Sequence, residues 1–181
     1  MEQLKLTIAL ILAVVLQWTL RNVAEPFMFV DFPLIIVVYA ALQRNSIRAI
    51  LYGTFAGISV DALSGGLLGA NGFTKTLIAY AVSEIARRVY MDNLLLRIPV
   101  IAGACLVSEA VYFGIHRIFG VESSADPVTT ISYTLIGTTI AGTIIYISLD
   151  RLFTEKRTAR KSEMFKTRRQ SRRRNPIRLG K

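Results

Sequence analysis

Long apolar runs, repeated along the first 150 residues, are the feature that most limits what this chain can fold into. They are separated only by short polar connectors, and 52% of the 181 residues are hydrophobic. The mean hydropathy of +0.46 is too high for an ordinary soluble domain. Runs of about 20 apolar residues are long enough to cross a hydrocarbon core as helices. We therefore predict an all-α membrane protein with six transmembrane helices.

The predicted membrane domain comprises residues 1–153. Its six spans cover residues 4–20, 27–42, 47–64, 71–90, 94–119 and 128–153. The second span is irregular, because only about ten residues follow Pro33, and these cover about 15 Å as a helix. Either a helix from residue 27 kinks at Pro33, or a half-helix begins there with Asp31 as its N-terminal cap.

Charge is distributed unevenly along the chain. Residues 1–150 contain 9 Lys/Arg and 10 Asp/Glu, a net charge of −1, whereas residues 151–181 contain 13 and 2, a net charge of +11. Basic residues of the membrane domain concentrate at one set of span ends, which the positive-inside rule assigns to the cytoplasm. We therefore predict a multi-pass protein with both termini cytoplasmic, and a basic, disordered cytoplasmic tail at residues 154–181.

The basic tail predicts an interaction with the membrane surface. Each basic residue near anionic lipid headgroups contributes about 1 kcal/mol to binding. A cytoplasmic protein partner is the alternative, whereas specific binding of nucleic acid is not expected, because no folded reader accompanies the charges. The predicted lipid-binding residues are Arg168, Arg169, Arg172, Arg173 and Arg174.

The third span carries a pattern of small residues and an acid. Read as a helix, it places Gly53, Gly57 and Asp61 four residues apart on one face, and such a glycine stripe lets another backbone approach closely. The neighbour is either a partner's span or an internal helix. Together with the glycine corner that ends the helix, the predicted helix-packing or partner-binding residues are Gly53, Gly57, Asp61, Gly65, Gly66 and Gly69.

Four polar residues form a predicted cluster. Asp31, Asp61 and Lys75 all fall near the outer surface in the predicted topology, and a nearby lysine would keep a desolvated acid charged. Three interpretations stay open: interfacial groups that cap helices, an ion pair that holds the glycine corner, or a ligand site. Glu109 lies deeper, either as a neutral acid hydrogen-bonded to Ser or Thr of the sixth span, or as the polar group of a cavity or partner contact.

Enzymatic chemistry is not expected from these residues. The chain contains a single cysteine, Cys105, and a single histidine, His116, so neither a disulfide nor a zinc site of the usual ligand set is predicted. No nucleophile elbow, phosphate-binding loop or metalloprotease pair is present in the sequence. We predict no metal and no cofactor.

Two stretches resemble a known family. An acid-proline start to the second span, Asp31-Phe-Pro33, is followed by Arg44, and the next span carries the element Gly57-x-x-x-Asp61-x-x-Ser64-Gly65-x-x-x-Gly69. Both resemble the bacterial rod shape-determining protein MreD family. The resemblance covers roughly residues 1–150, and its specific part lies within about residues 27–80.

The resemblance implies a role, a location and partners. It implies a non-enzymatic scaffold of the elongation machinery in the bacterial inner membrane, which binds an MreC-like single-span protein. It also implies proximity to a RodA-type glycosyltransferase and a penicillin-binding transpeptidase, with MreB-type filaments as indirect partners, and so a part in positioning peptidoglycan synthesis for rod shape. The family is similar in fold to substrate-binding subunits of energy-coupling-factor transporters. That similarity implies the alternative function, a membrane subunit that binds a vitamin-type solute for transport.

Overall fold

The computed structural model describes residues 2–23, 25–89, 94–120 and 126–149. Six α-helices follow in chain order, and a 3-10 helix (Glu25–Phe29) precedes the second of them. No strand occurs within these four ranges, so the predicted all-α, six-helix fold is confirmed. The helices are α1 (Glu2–Val23), α2 (Phe32–Ala41), α3 (Ser46–Ser64), α4 (Ala70–Arg88), α5 (Leu94–Ile118) and α6 (Pro127–Leu149).

Three helices are long and apolar enough to cross a membrane: α1 over Gln3–Arg21, α5 over Leu96–Ile118, and α6 over Pro127–Leu149. The third and fourth helices have 19 residues each but are not among the helices that are long and apolar enough, and α2 has only 10. Passage through a membrane is thus supported for three helices. The number of six crossings stays a prediction, as does a boundary at residue 153, because residues 150–153 lie outside the described ranges.

Helix α2 is the short helix in the middle of the fold. All ten of its residues are buried, and it packs against α1, α3, α4 and α5. Its start is set by sequence, because the Oδ1 atom of Asp31 accepts a hydrogen bond from the Leu34 amide at 2.9 Å and Pro33 occupies the first turn. The structure therefore has a half-helix capped by Asp31. A single helix from residue 27, kinked at Pro33, is wrong.

The third and fourth helices form a tightly packed hairpin. A Cβ atom added to Gly57 would lie 2.3 Å from the Asn71 carbonyl oxygen, and one added to Gly53 would lie 2.7 Å from that of Lys75. Only glycine permits this approach of two backbones. Hydroxyl pairs also join the two helices, with 2.8 Å between the Oγ1 atoms of Thr54 and Thr76.

The turn between α3 and α4 depends on two glycines with positive φ. Gly65 ends α3 at φ 66°, and Gly69 caps α4 at φ 97°, a conformation that L side chains rarely adopt. Helix α4 begins at Ala70, so Asn71 lies in its first turn.

The last helix packs against the start and the side of α2. A Cβ atom added to Gly142 would lie 3.0 Å from Ile101 Cγ2 and 3.4 Å from Ile35 Cγ1. The hydroxyl of Thr138, which is fully buried, accepts a hydrogen bond from the Asp31 amide at 3.1 Å. The small residues of α6 therefore let it approach both α2 and α5.

Candidate functional site

Asp61 is a buried acid whose carboxylate accepts hydrogen bonds from backbone and side-chain amides. Only 2% of its surface is exposed. Its Oδ2 atom accepts from the amides of Gly69 at 2.9 Å and Gly72 at 3.0 Å, and Oδ1 accepts from the amide of Asn71 at 3.2 Å and from its Nδ2 atom at 2.9 Å. The first amides of a helix lack partners within it and attract negative charge. Asp61 of α3 therefore caps α4 and holds the glycine turn.

Lys75 is the second buried charge, and its partner is Asp31. The Nζ atom of Lys75 forms an ion pair with Asp31 Oδ2, and the two side chains are 1% and 16% exposed. Nζ also approaches the side-chain oxygen of Asn71 at 3.4 Å. Since Asp31 precedes α2 and Lys75 lies in α4, the ion pair joins the central helix to the hairpin.

Asn71 connects the two charged groups. Its Nδ2 atom donates to Asp61 and its Oδ1 atom faces Lys75, so the residues form a continuous chain in the order Asp31, Lys75, Asn71, Asp61. Lys75 contacts Asp31 directly. Lys75 is linked to Asp61 only through the side-chain amide of Asn71. The signal for this role was the spacing of four residues between Asn71 and Lys75, which places both on one face of α4.

A cavity of about 490 Å³ lies beside this polar chain. Residues from all six helices or the segments that flank them contribute to its walls, and charged, hydroxyl and aromatic groups are all present. Its volume is within the usual range for small-molecule sites. The lining residues that matter here are Gln17, Arg21, Phe29, Asp31, Asn71, Lys75, Ser108, Glu109, Tyr112, Asp126, Thr130, Tyr133 and Thr134.

Glu109 is half-buried in the wall of this cavity. Within the described ranges its carboxylate has no hydrogen bond and no ion pair. Within those ranges Glu109 makes no hydrogen bond to Ser or Thr of the last helix, and both interpretations of its role stay predictions. Sequence reasoning did not select Ser108 or Thr134, which lie in the same wall, because their orientation depends on how α5 packs against α6.

The predicted glycine residues divide into two groups. Gly53 and Gly57 face α4, so their side of α3 is covered by an internal helix and is not open to a partner's span. Gly65, Gly66 and Gly69 form the exposed turn, and Gly66 also lines the cavity, with an added Cβ lying 3.9 Å from the Tyr112 hydroxyl. The turn therefore stays available as a surface.

Neither the lone cysteine nor the lone histidine joins a metal-binding group. The Sγ atom of buried Cys105 lies 3.6 Å from the Thr134 carbonyl oxygen, and His116 Nδ1 lies 3.0 Å from that of Tyr112. Among the described residues, no three His, Cys, Asp or Glu side chains are placed to hold a metal ion. The predicted lipid-binding arginines, Arg168 to Arg174, lie outside the described ranges.

Comparison with known proteins identifies a family. The sequence model of a family described as rod shape-determining protein MreD matches residues 2–155, which include all six helices. No curated protein and no solved structure matches the chain. The expected similarity to substrate-binding transporter subunits therefore stays an untested prediction.

Proposed function

The chain belongs to the rod shape-determining protein MreD family, and from this premise we propose that it is a non-enzymatic scaffold of the elongation machinery. Membership makes it a bacterial membrane protein of cell-shape determination. The proposed finer role is to bind an MreC-like single-span protein and to position peptidoglycan synthesis by a RodA-type glycosyltransferase and a penicillin-binding transpeptidase. The family match is the observation that carries this role, and it favours a function in cell shape over the transport alternative.

We also propose the surface that the partner's span uses. The glycine face of α3 is covered by α4, so the partner must bind elsewhere. A groove of about 710 Å³ lies between α1 and the opposite side of α3. Its walls are mostly apolar, and Ile11, Leu51 and Phe55 are more than half exposed.

The groove has a polar end and an apolar length, which is the pattern that a single membrane helix needs. At the polar end, the Tyr52 hydroxyl donates to the Gln3 carbonyl at 3.3 Å and lies 3.2 Å from the Thr7 hydroxyl. Arg48 lines the same end. A partner helix would place its apolar side along α1 and α3, and its juxtamembrane residues beside these polar groups.

Co-purification tests the scaffold and its surface together. A tagged copy extracted in mild detergent is expected to retain an MreC-like protein and enzymes of wall synthesis. The double substitution Leu51→Ala and Phe55→Ala should reduce recovery of the MreC-like protein, because the groove loses two of its exposed apolar side chains. The matched control is Ile136→Ala with Ile140→Ala, two exposed residues of α6.

Two results would contradict these proposals separately. Equal recovery of the MreC-like protein from both double variants would exclude the groove but leave the scaffold role intact. Recovery of no wall-synthesis protein by the unaltered chain, in cells that depend on it for rod shape, would exclude the scaffold role itself.

A further inference from the structure

Three polar side chains of the cavity have no partner that the structure supplies. Ser108 and Thr134 are only 4% and 6% exposed, yet within the described ranges their hydroxyl groups make no hydrogen bond. The carboxylate of Glu109, adjacent to Ser108 in α5, is equally without a partner there. Buried polar groups are hydrogen-bonded in about 90% of cases or more. Three polar groups in one wall of the cavity are therefore available to bind an occupant.

The charges of the cavity favour a cationic occupant. Lys75 is already paired with Asp31, so it is not available for an anion. Arg21 lies in an exposed position at the predicted membrane surface. Of the two acids in the cavity wall that form no ion pair within the described ranges, Asp126 is exposed, whereas Glu109 is half-buried. A charge in or near hydrocarbon normally has a counter-charge.

The chemistry of these three groups favours an ammonium ion as the cation. Two hydroxyl oxygens and one carboxylate match the three donors of a primary ammonium group. Phe29, Tyr112 and Tyr133 line the same cavity, and ring faces attract such a group. A metal ion is disfavoured, because no group of three ligating side chains occurs in the described residues.

We propose that this cavity binds a primary ammonium group through Glu109, Ser108 and Thr134. The group belongs either to a small amine solute or to the headgroup of an ethanolamine phospholipid in the predicted outer leaflet. The inference goes beyond the scaffold role. Bound amine would fill a space between α5, α6 and the polar chain, and would stabilise the protein without being transported.

Binding is measured on the full-length protein in two settings. In nanodiscs of phosphatidylcholine and phosphatidylglycerol, ethanolamine is titrated while Tm is followed, with choline as the probe that has no N–H donor. In nanodiscs that also contain phosphatidylethanolamine, native mass spectrometry counts the lipids retained. A rise in Tm with ethanolamine identifies a free amine, whereas selective retention of phosphatidylethanolamine alone identifies the lipid.

Variants decide whether the cavity is responsible. Loss of a charge-assisted hydrogen bond in Glu109→Gln should weaken binding about 10- to 100-fold, and Ser108→Ala about 3- to 10-fold. If Glu109→Gln does not fold, Ser108→Ala alone tests whether the cavity binds the amine.

The control is Glu84→Gln, which alters a carboxylate that pairs with Arg87 and Arg88 on α4. It should bind like the unaltered protein. The proposal is overturned if neither ethanolamine nor phosphatidylethanolamine binds, which would mean that water fills the cavity. It is also overturned if Glu109→Gln and Ser108→Ala, once folded, bind as tightly as the control. Either result leaves the scaffold role untouched, since that role is read from partner recovery.

Discussion

Individual residues at the polar chain are held in ways that the sequence indicated only in part. The positions of Asp31, Asp61 and Lys75 stood out because charges are expensive in an apolar run. The bridging role of Asn71 did not stand out, because an asparagine at the start of a helix is usually interpreted as a cap. Which acid the lysine contacts depends on how α2 packs against α4, and no local pattern encodes that.

The ion pair of Asp31 and Lys75 gives the first prediction. In Lys75→Met, the mostly buried carboxylate loses its cation, and breaking a buried pair costs about 3–5 kcal/mol of the free energy of unfolding. The double variant Asp31→Asn with Lys75→Met should cost less than the sum of the single variants. Reversible unfolding in detergent measures both, and strictly additive losses would show that the two groups are not coupled.

An exposed ion pair serves as the comparison. Arg88→Gln removes one of the two arginine partners of Glu84, at a side chain that is 77% exposed, and such pairs contribute about 1 kcal/mol or less. Its unfolding free energy should therefore stay close to that of the unaltered protein.

The four hydrogen bonds to Asp61 give the second prediction. In Asp61→Asn, one oxygen is replaced by a donor that faces the amides of the glycine turn, and each buried group left without a partner costs about 1–3 kcal/mol. Amide hydrogen exchange at residues 69, 71 and 72 should accelerate. Asp126→Asn, at an exposed acid, should leave those rates unchanged, and unchanged rates in Asp61→Asn would contradict the capping role.

At the scale of elements, the fold rests on a half-helix and a hairpin. Hydropathy alone placed an apolar segment at residues 27–42, but it could not separate a kinked span from a short helix, because both bury the same residues. The glycine spacing did indicate close helix packing. It could not say whose helix is packed there, since an internal and an external neighbour require the same small residues.

The hairpin gives the third prediction. In Gly57→Leu, the new side chain meets the backbone of α4 where even a Cβ would lie 2.3 Å from Asn71. Overpacking of this kind costs about 1–3 kcal/mol or more, and the yield of monodisperse protein should fall although the chain still inserts. The matched control is Gly103→Leu in α5, where nothing lies within 4 Å of an added Cβ.

The outcome separates two roles for the face. A loss of fold in Gly57→Leu alone supports internal packing. A normally folded Gly57→Leu protein that fails only to recover its partner would contradict it.

At the scale of the molecule, the path of the chain through the membrane follows from the lengths of its parts. The 3-10 helix of five residues covers about 10 Å, α2 covers about 15 Å, and the two residues between them add at most about 7 Å. Placed end to end, they reach about the 30 Å of a hydrocarbon core. Residues 25–41 are therefore long enough for one crossing, as six passes require.

Topology gives the fourth prediction. Reporter domains fused to each end of the chain should both report the cytoplasm, because the basic residues concentrate at that set of helix ends. A fusion in the turn at Gly65–Gly66 should report the opposite side. Ends on opposite sides would exclude an even number of crossings, whatever the family role.

The basic tail gives the fifth prediction. Changing Arg172, Arg173 and Arg174 to Gln should reduce retention of anionic lipid, since each basic residue near the surface contributes about 1 kcal/mol. Native mass spectrometry of protein from phosphatidylglycerol nanodiscs measures this. Arg44→Gln, a single change in the connector before α3, is the control, and equal retention by both would favour a protein partner for the tail.

The pairing of Asp31 with Lys75 also imposes an order on biosynthesis. The acid leaves the ribosome 44 residues before the lysine, so the early chain enters the translocon region with a carboxylate whose counterion has not yet been made. Until α4 arrives, that segment is held best at the water boundary or by an insertase. Asp31 can therefore reach its final position beside Lys75 only after the hairpin of α3 and α4 has been inserted.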